Sequence, residues 1–412
     1  MLISGMSGNE IYCLSLKGLR PGEIAVGNSV QSLGLVGGIG SSLKSLAGGE
    51  ITNLTQLISE GRHAAISRME AEARKHGAAG ITGVTSELTS LAGYTEFLSQ
   101  GTAVHADGMP DTQKPFSTSA SGIEMYCHLD AGYRPVKFVM GNVAYALGIG
   151  RGLTGGLRTM ARGEVHEYSQ MYNGIRQLAL ARLKQEASAV GANAVVDIAV
   201  DIRPFSPGIV ELLMTGTAAH HPRLPERVAP EQVVTSELSG EELWNLAKLG
   251  YAPVELVMAT SVVSLGVVGG IGAMFSGLSR GEIGDLTSLV YQARENCIEL
   301  LRREAIRIGA ERVIGANLHI RELSAGLIEV VAIGTAARPA EGMTPETPTL
   351  ITQAIITDRE FFSMGAAMPG VSSMDTSQGA RAQSPRAAGC MVVVFMILSV
   401  LGGLISALAR HH

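Results

Sequence analysis

A chain of 412 residues is too long for one small core and has room for about two or three domains. Its net charge of −5 leaves no basic footprint for nucleic acid, and no basic stripe interleaved with aromatics is present. Cys13, Cys127, Cys297 and Cys390 are scattered without a CxxC pair, so their spacing indicates neither a disulfide framework nor a zinc knuckle.

In chain order, the start "MLISGMSGNEIYC" lacks a basic segment followed by an apolar run and does not read as a secretory signal. The reduced cytosol is the expected home of the main body. Ser7 with Glu10 then forms a capping-box pattern that starts a short helix. Gly18 ends that helix, and Pro21 follows as a breaker. An extended run comes next, then the glycine-rich "LGLVGGIGSSLKSLAGGEI" from Leu33 to Ile51. A long helix is expected from about Glu50 to His76. Its apolar positions Ile51, Leu54, Ile58, Ala65, Met69 and Ala73 advance by threes and fours. Two strands close the segment, the second running into "GTA" at Gly101.

The same grammar recurs twice. Ser121/Glu124 and Ser239/Glu242 repeat the capping box, and Gly132 and Gly250 repeat the stop. "LGIGRGLTGGLRTMARGEV" and "LGVVGGIGAMFSGLSRGEI" repeat the connector, and Gly216 and Gly334 repeat the "GTA" triplet. Three units are therefore expected at residues 1–106, 117–222 and 235–340, joined by short polar linkers that carry proline. Each reads as a short helix followed by β-α-β-β, an α+β layer fold.

Residues 341–386 are rich in Ser, Gly and Pro and read as a flexible stalk. Within them "TDREFFSM" from Thr357 reads as a truncated fourth start. From Ala387 to Ala409 the chain carries no charge. At about 1.5 Å per residue, such a segment as a helix crosses a hydrocarbon core of roughly 30 Å. The expectation is a single C-terminal transmembrane helix at 387–409. It makes a tail anchor, with Arg381 and Arg386 before it keeping the N-terminal body cytoplasmic.

Candidate functional residues recur at fixed places. Glu50, Glu164 and Glu282 stand at the expected N-termini of the long helices, where the helix dipole favours a carboxylate. Arg62, Arg176 and Arg294 lie mid-helix, each followed ten residues later by Glu72, Glu186 and Glu304. An Arg and its following Glu do not share a helix face, so the expectation is pairing between neighbouring subunits across a heterologous contact. The connectors lack the GK[ST] of a phosphate-binding loop. The middle one, with Arg151, Arg158 and Arg162, is the candidate for a small anion.

For a metal, Cys13 and Cys127 are equivalent, and so are His105 and His220, but the third unit has Asn245 and Arg338 there. A ring of thiolates around a symmetry axis is the sharpest form of that alternative. No Ser-His-Asp or Cys-His array is present, so no catalysis and no obligatory cofactor are expected.

The order of "GGE", a long helix bearing Arg and Glu and ending in "GA", and a last strand running into "GTA" resembles the YbjQ-like family, whose name carries a heavy-metal-binding label. The resemblance covers about 310 residues, three times over. It implies dodecin-like βαββ units assembling as pentameric rings. With three units per chain, five chains would build three stacked rings, or chains would bridge rings into a shell. The functional expectation is a membrane-tethered homo-oligomeric scaffold, with metal or small-anion binding as the alternative.

Overall fold

Three serines start the three repeats in the same way. The computed structural model describes residues 1–32, 49–91, 93–106, 114–146, 163–206, 208–264, 284–324 and 327–355. In it Ser7, Ser121 and Ser239 accept hydrogen bonds from the N–H groups of Glu10, Glu124 and Glu242. Each glutamate carboxylate accepts one in return from its serine's N–H, so two terminal donors are satisfied together. The helices so capped are α1 (Gly8–Ser15), α3 (Gly122–Asp130) and α5 (Gly240–Lys248). Gly18, Gly132 and Gly250 follow at φ of +73°, +91° and +79°, a left-handed turn that any Cβ would strain.

Each turn feeds a long strand: β1 (Leu19–Gln31), β6 (Arg134–Ala146) and β11 (Tyr251–Ser264). The 24-residue helices α2 (Thr52–Lys75), α4 (His166–Ala189) and α6 (Gly284–Arg307) come next in their units. Two antiparallel strands then close each unit. They are β3 (Gly80–Leu91) with β4 (Tyr94–Ala106), β8 (Ala194–Ser206) with β9 (Ile209–His220), and β12 (Arg312–Ser324) with β13 (Leu327–Pro339). The last strand lies between the first strand of its unit and the closing strand that precedes it in every sheet. The registers are superimposable: Ile24 faces Thr102, Phe138 faces Thr217 and Leu256 faces Thr335. The protein is α+β with three repeated units.

Neighbouring units complete one another's sheets. The two-residue strands β2 (Gly49–Glu50) and β7 (Gly163–Glu164) pair antiparallel with β6 and β11, the first strands of the following units. In the other direction, β5 (Phe116–Ser117) and β10 (Val234–Thr235) pair parallel with β3 and β8 of the preceding units. These exchanges lock units 1, 2 and 3 side by side within one compact body, Met1–Ala366.

The transmembrane expectation is corrected. Among the described residues no helix is long and apolar enough to cross a membrane. The 24-residue helices have the length, but α2 alone carries Glu60, Arg62, Arg68, Glu70, Glu72, Arg74 and Lys75. Such charges belong to helices packed on sheets and not in lipid. Residues 387–409, on which the span and the tail-anchored membrane localisation were read, lie outside the described residues. The stalk from 356 onward with "TDREFFSM", and residues 33–48, 147–162 and 265–283 of the glycine-rich connectors with Glu282, Arg151, Arg158 and Arg162, also lie outside them.

Candidate assembly interface

Alternation along each first strand divides its side chains between two faces. On β1, Ala25 shares an apolar cluster with Ile66, Met69 and Ala73 of its own helix α2. On the first strands of units 2 and 3 the other face meets the preceding unit. Phe138 and Met140 of β6 and Leu213 of β9 join that same α2 cluster, and Ala144 joins Leu54 and Ile58 of α2 in another. The contact is made again one unit on. Leu256, Met258 and Val262 of β11 lie in one cluster with Leu180 and Leu183 of α4. Each of these helices is therefore sandwiched between its own sheet and the next unit's sheet. Burying one such large apolar side chain is worth about 1.5–3 kcal/mol.

A buried ion pair sits at the centre of each contact. Arg62 of α2 donates from Nε to Glu211 Oε1 at 3.1 Å and from Nη2 to Oε2 at 2.6 Å. Its Nη1 donates to the Ser86 carbonyl and hydroxyl, both at 3.0 Å, and Asn142 Nδ2 adds a bond to Glu211 Oε1 at 3.4 Å. In the second contact Arg176 Nη2 donates to Glu329 Oε1 at 2.8 Å, and Nη1 donates to Thr260 Oγ1 at 2.7 Å. Arg321 binds the other oxygen of Glu329. Burial alone would raise the Glu329 carboxyl, but the two guanidiniums outweigh it and hold it below the usual glutamate value. The arginine side chains are essentially inaccessible, as are both glutamates.

The remaining repeated charges take other partners. Glu72 Oε2 accepts the N–H of Val26 at 2.5 Å, and Glu186 Oε2 accepts that of Met140 at 3.0 Å. Both therefore tie a long helix to its own sheet. Glu186 also pairs with His63 of unit 1 at 2.8 Å, which raises the imidazole pKa. Glu304 pairs with Arg307, one turn away at 2.6 Å. Glu50 makes no cap on α2. It lies in β2 and pairs with Arg182 of unit 2 at 2.8 Å. Glu164 accepts from Ser169 at 3.2 Å. Arg294 is exposed and makes no ion pair with a described residue.

Two features of this region were not singled out in the sequence. The glutamates Glu96, Glu211 and Glu329 each stand five residues before a "GTA" triplet, a fixed spacing that marks them as a recurring set. The second is a node formed by Asp130 at the end of α3, whose side chain is fully buried. It accepts from Lys17 Nζ at 2.7 Å, Trp244 Nε1 at 2.7 Å, and Thr347 N and Oγ1 at 3.1 and 2.6 Å. One carboxylate thus joins all three units and the segment after unit 3. The short helices stack beside it, and Gly122 N donates to Glu10 Oε1 at 2.9 Å.

The donor set for a metal is not gathered. Cys13 and Cys127 lie fully buried in an apolar cluster with Tyr126, Trp244 and Leu246, while Asn245, their sequence equivalent in the third unit, is exposed. Burial pushes the Cys127 thiol up, and pushes Cys297 up to about 12, so these sulfurs keep their protons at neutral pH, whereas a metal binds the thiolate. His105 Nδ1 sits 3.2 Å from the Gly77 carbonyl, and His220 is paired in register with Arg134 at the end of the sheet. Among the described residues no group of three His, Cys, Asp or Glu side chains is placed to hold an ion. As placed here, these described residues do not fit a heavy metal.

Comparison with known proteins follows the repeats. The YbjQ family profile, described as "Putative heavy-metal-binding", matches residues 20–107, 132–221 and 250–339. The chain is 31% identical over 254 residues to the encapsulin nanocompartment protein Rv1762c of Mycobacterium tuberculosis, an alignment covering 60% of this chain and 95% of that one. It is 44% identical over 85 residues to a UPF0145 protein of Methanoregula boonei, covering 21% of this chain and 71% of that protein. A UPF0145 protein of Pseudothermotoga lettingae is 45% identical over 82 residues, with coverage of 20% and 77%. Matched three times in succession over well more than half of its length, the chain belongs to the YbjQ family.

Proposed function

We propose that this chain is an assembly protein whose YbjQ units build an oligomeric scaffold by repeating one helix-on-sheet contact, without catalysis of its own. The observation that carries the reading is that the contact is made twice inside one chain, with a buried arginine–glutamate pair at its centre each time. An interface reused between successive units is one that can extend an assembly, since a heterologous contact joins two different faces of the same unit. The similarity to a protein named for an encapsulin nanocompartment supports an assembly role, and no catalytic name attaches to the family or to these relatives. Units of one chain lie side by side here. Each chain thus contributes three consecutive positions to one array, in place of one position to each of three stacked rings. Sedimentation of the purified full chain over a range of concentrations tests the proposal: particles of several chains are expected, and a monomer at every concentration would overturn it.

A further inference from the structure

We infer that the two outer faces of the three-unit stack bind each other between chains, so that the partner of this surface is a second copy of the chain joined head to tail. The inference rests on the assembly reading above and names its joint.

The outer face of the first sheet is built like the covered faces of the other two. Ile24, Val26 and Val30 occupy the register positions of Phe138, Met140 and Ala144, and of Leu256, Met258 and Val262. Those six are at most 5% exposed, each beneath the preceding unit's helix. No described helix covers this face of unit 1, and Ile24, Val26 and Val30 are 44%, 42% and 50% exposed. Glu96 faces Val30 as Glu211 faces Ala144 and Glu329 faces Val262. Asn28 Nδ2 already donates to Glu96 at 3.2 Å, as Asn142 does to Glu211. The carboxylate is set as in the first internal contact, lacking the arginine.

The missing arginine is at the other end. Arg294, Thr287 and Ile298 of α6 stand where α2 has Arg62, Thr55 and Ile66 and α4 has Arg176, Ser169 and Leu180. All six residues of α2 and α4 are buried against the following sheet, whereas Arg294 and Thr287 are exposed and Ile298 is half-buried. One end offers an apolar sheet face with an acid, the other a helix with an arginine, and the chain itself shows twice how such faces fit.

An independent observation comes from the short helices. A Cβ on Gly122 would lie 2.7 Å from the Cβ of Glu10, and one on Gly240 would lie 2.7 Å from the Cα of Glu124. Gly8, the equivalent residue of unit 1, has nothing within 4 Å. The same packing continued between chains brings the α5 of one copy, with Glu242, against Gly8 of the next. A joint whose rotation closes makes a ring, and one whose rotation does not close runs on as a filament.

The test is analytical ultracentrifugation of the full chain and of three variants across a concentration series. Arg294→Glu, at an exposed position, and Glu96→Arg, at a half-buried one, each place like charges at the joint and should weaken association at least about tenfold. Mixing these two variants restores opposite charges at every joint, native at one and exchanged at the next, so the mixture should assemble where neither does alone. Gly8→Leu should fold as the parent does and fail to associate. Wild-type oligomers indifferent to both charge reversals and to Gly8→Leu, or a mixture no stronger than its components, would overturn this joint and leave the assembly reading standing. A wild-type chain monomeric throughout overturns both.

Discussion

Arg62 and Glu211, 149 residues apart in sequence, form a two-point ion pair that no water reaches, at the contact between the first two units. Removing one member leaves the other charged, buried and unpaired, a loss of about 3–5 kcal/mol. Glu211→Ala should therefore lower the urea midpoint of the full chain strongly. Replacing both members with Arg62→Met and Glu211→Leu should restore most of the loss, because a buried pair gains little over apolar packing once desolvation is counted. A Glu211→Ala chain as stable as the parent would mean that the pair does not hold these units together.

The glycines that open the short helices make a second, sharply graded prediction. At Gly122 and Gly240 an added side chain runs into Glu10 and into the Glu124 backbone, whereas Gly8 faces open space. Gly240→Leu, opposed by backbone that cannot turn aside, should cost about 1–3 kcal/mol as an overpacked contact. Gly8→Leu should leave the thermal midpoint of the dilute chain within about a degree or two of the parent, as exposed substitutions usually do. Equal destabilisation by the two would contradict the stacking order of α1, α3 and α5.

Asp130 offers a spectroscopic readout, because Trp244 is the single tryptophan of the chain and its Nε1 donates to this carboxylate. Burial would raise the Asp130 pKa, but Lys17, Thr347 and Trp244 outweigh it and hold it low. The folded state therefore gains stability from Asp130 above the unfolded aspartate pKa and loses it as the pH falls through the depressed folded value. Asp130→Asn keeps the shape and removes the charge opposite Lys17. It should destabilise the chain by about 2–5 kcal/mol and shift the tryptophan emission before global unfolding in urea. An emission trace that coincides with the parent's would show that the node does not couple unit 3 to units 1 and 2.

What could be read from the sequence were the features that each unit settles within itself. The capping boxes at Ser7, Ser121 and Ser239 need only four residues, and the long-helix period needs only its own turn geometry. The apolar stripe through Leu54, Ile58, Ala65, Met69 and Ala73 is buried in full. Arg62 stood out as a recurring mid-helix charge, but its burial and its partner Glu211 did not, because α2 is covered on two sides and its second cover belongs to another unit. The same reason hid the role of Glu50. A glutamate ahead of a helix looks like a cap, yet β2 leaves its own unit to pair with β6. Hydropathy misled at the C-terminus, where an uncharged run was given a membrane that no described part of the fold requires. The partner acids were legible as a spacing, Glu96, Glu211 and Glu329 before their triplets, but their meaning appears only when two units are placed together.

His128 closes the set, because two of the three units already contain its replacement. It lies on α3 where α1 has Leu14 and α5 has Leu246, all three buried, and its Nε2 meets no partner. Burial pushes the imidazole down to about 4. An unfolded histidine, near pH 6.5, takes up a proton that the folded one refuses. Stability is therefore lost as the pH falls from about 6.5 toward 4, up to about 3 kcal/mol, and the loss levels off below that. His128→Leu removes both the unpartnered nitrogen and this proton linkage. The variant should be modestly more stable than the parent at pH 7.5, where a buried polar group without a partner costs about 1–3 kcal/mol. Its advantage should widen as both proteins are titrated to pH 4.5 in matched buffers. An advantage that stays constant with pH would place the imidazole proton elsewhere. A variant less stable at every pH would show that the leucine positions of α1 and α5 are not equivalent to this one in packing.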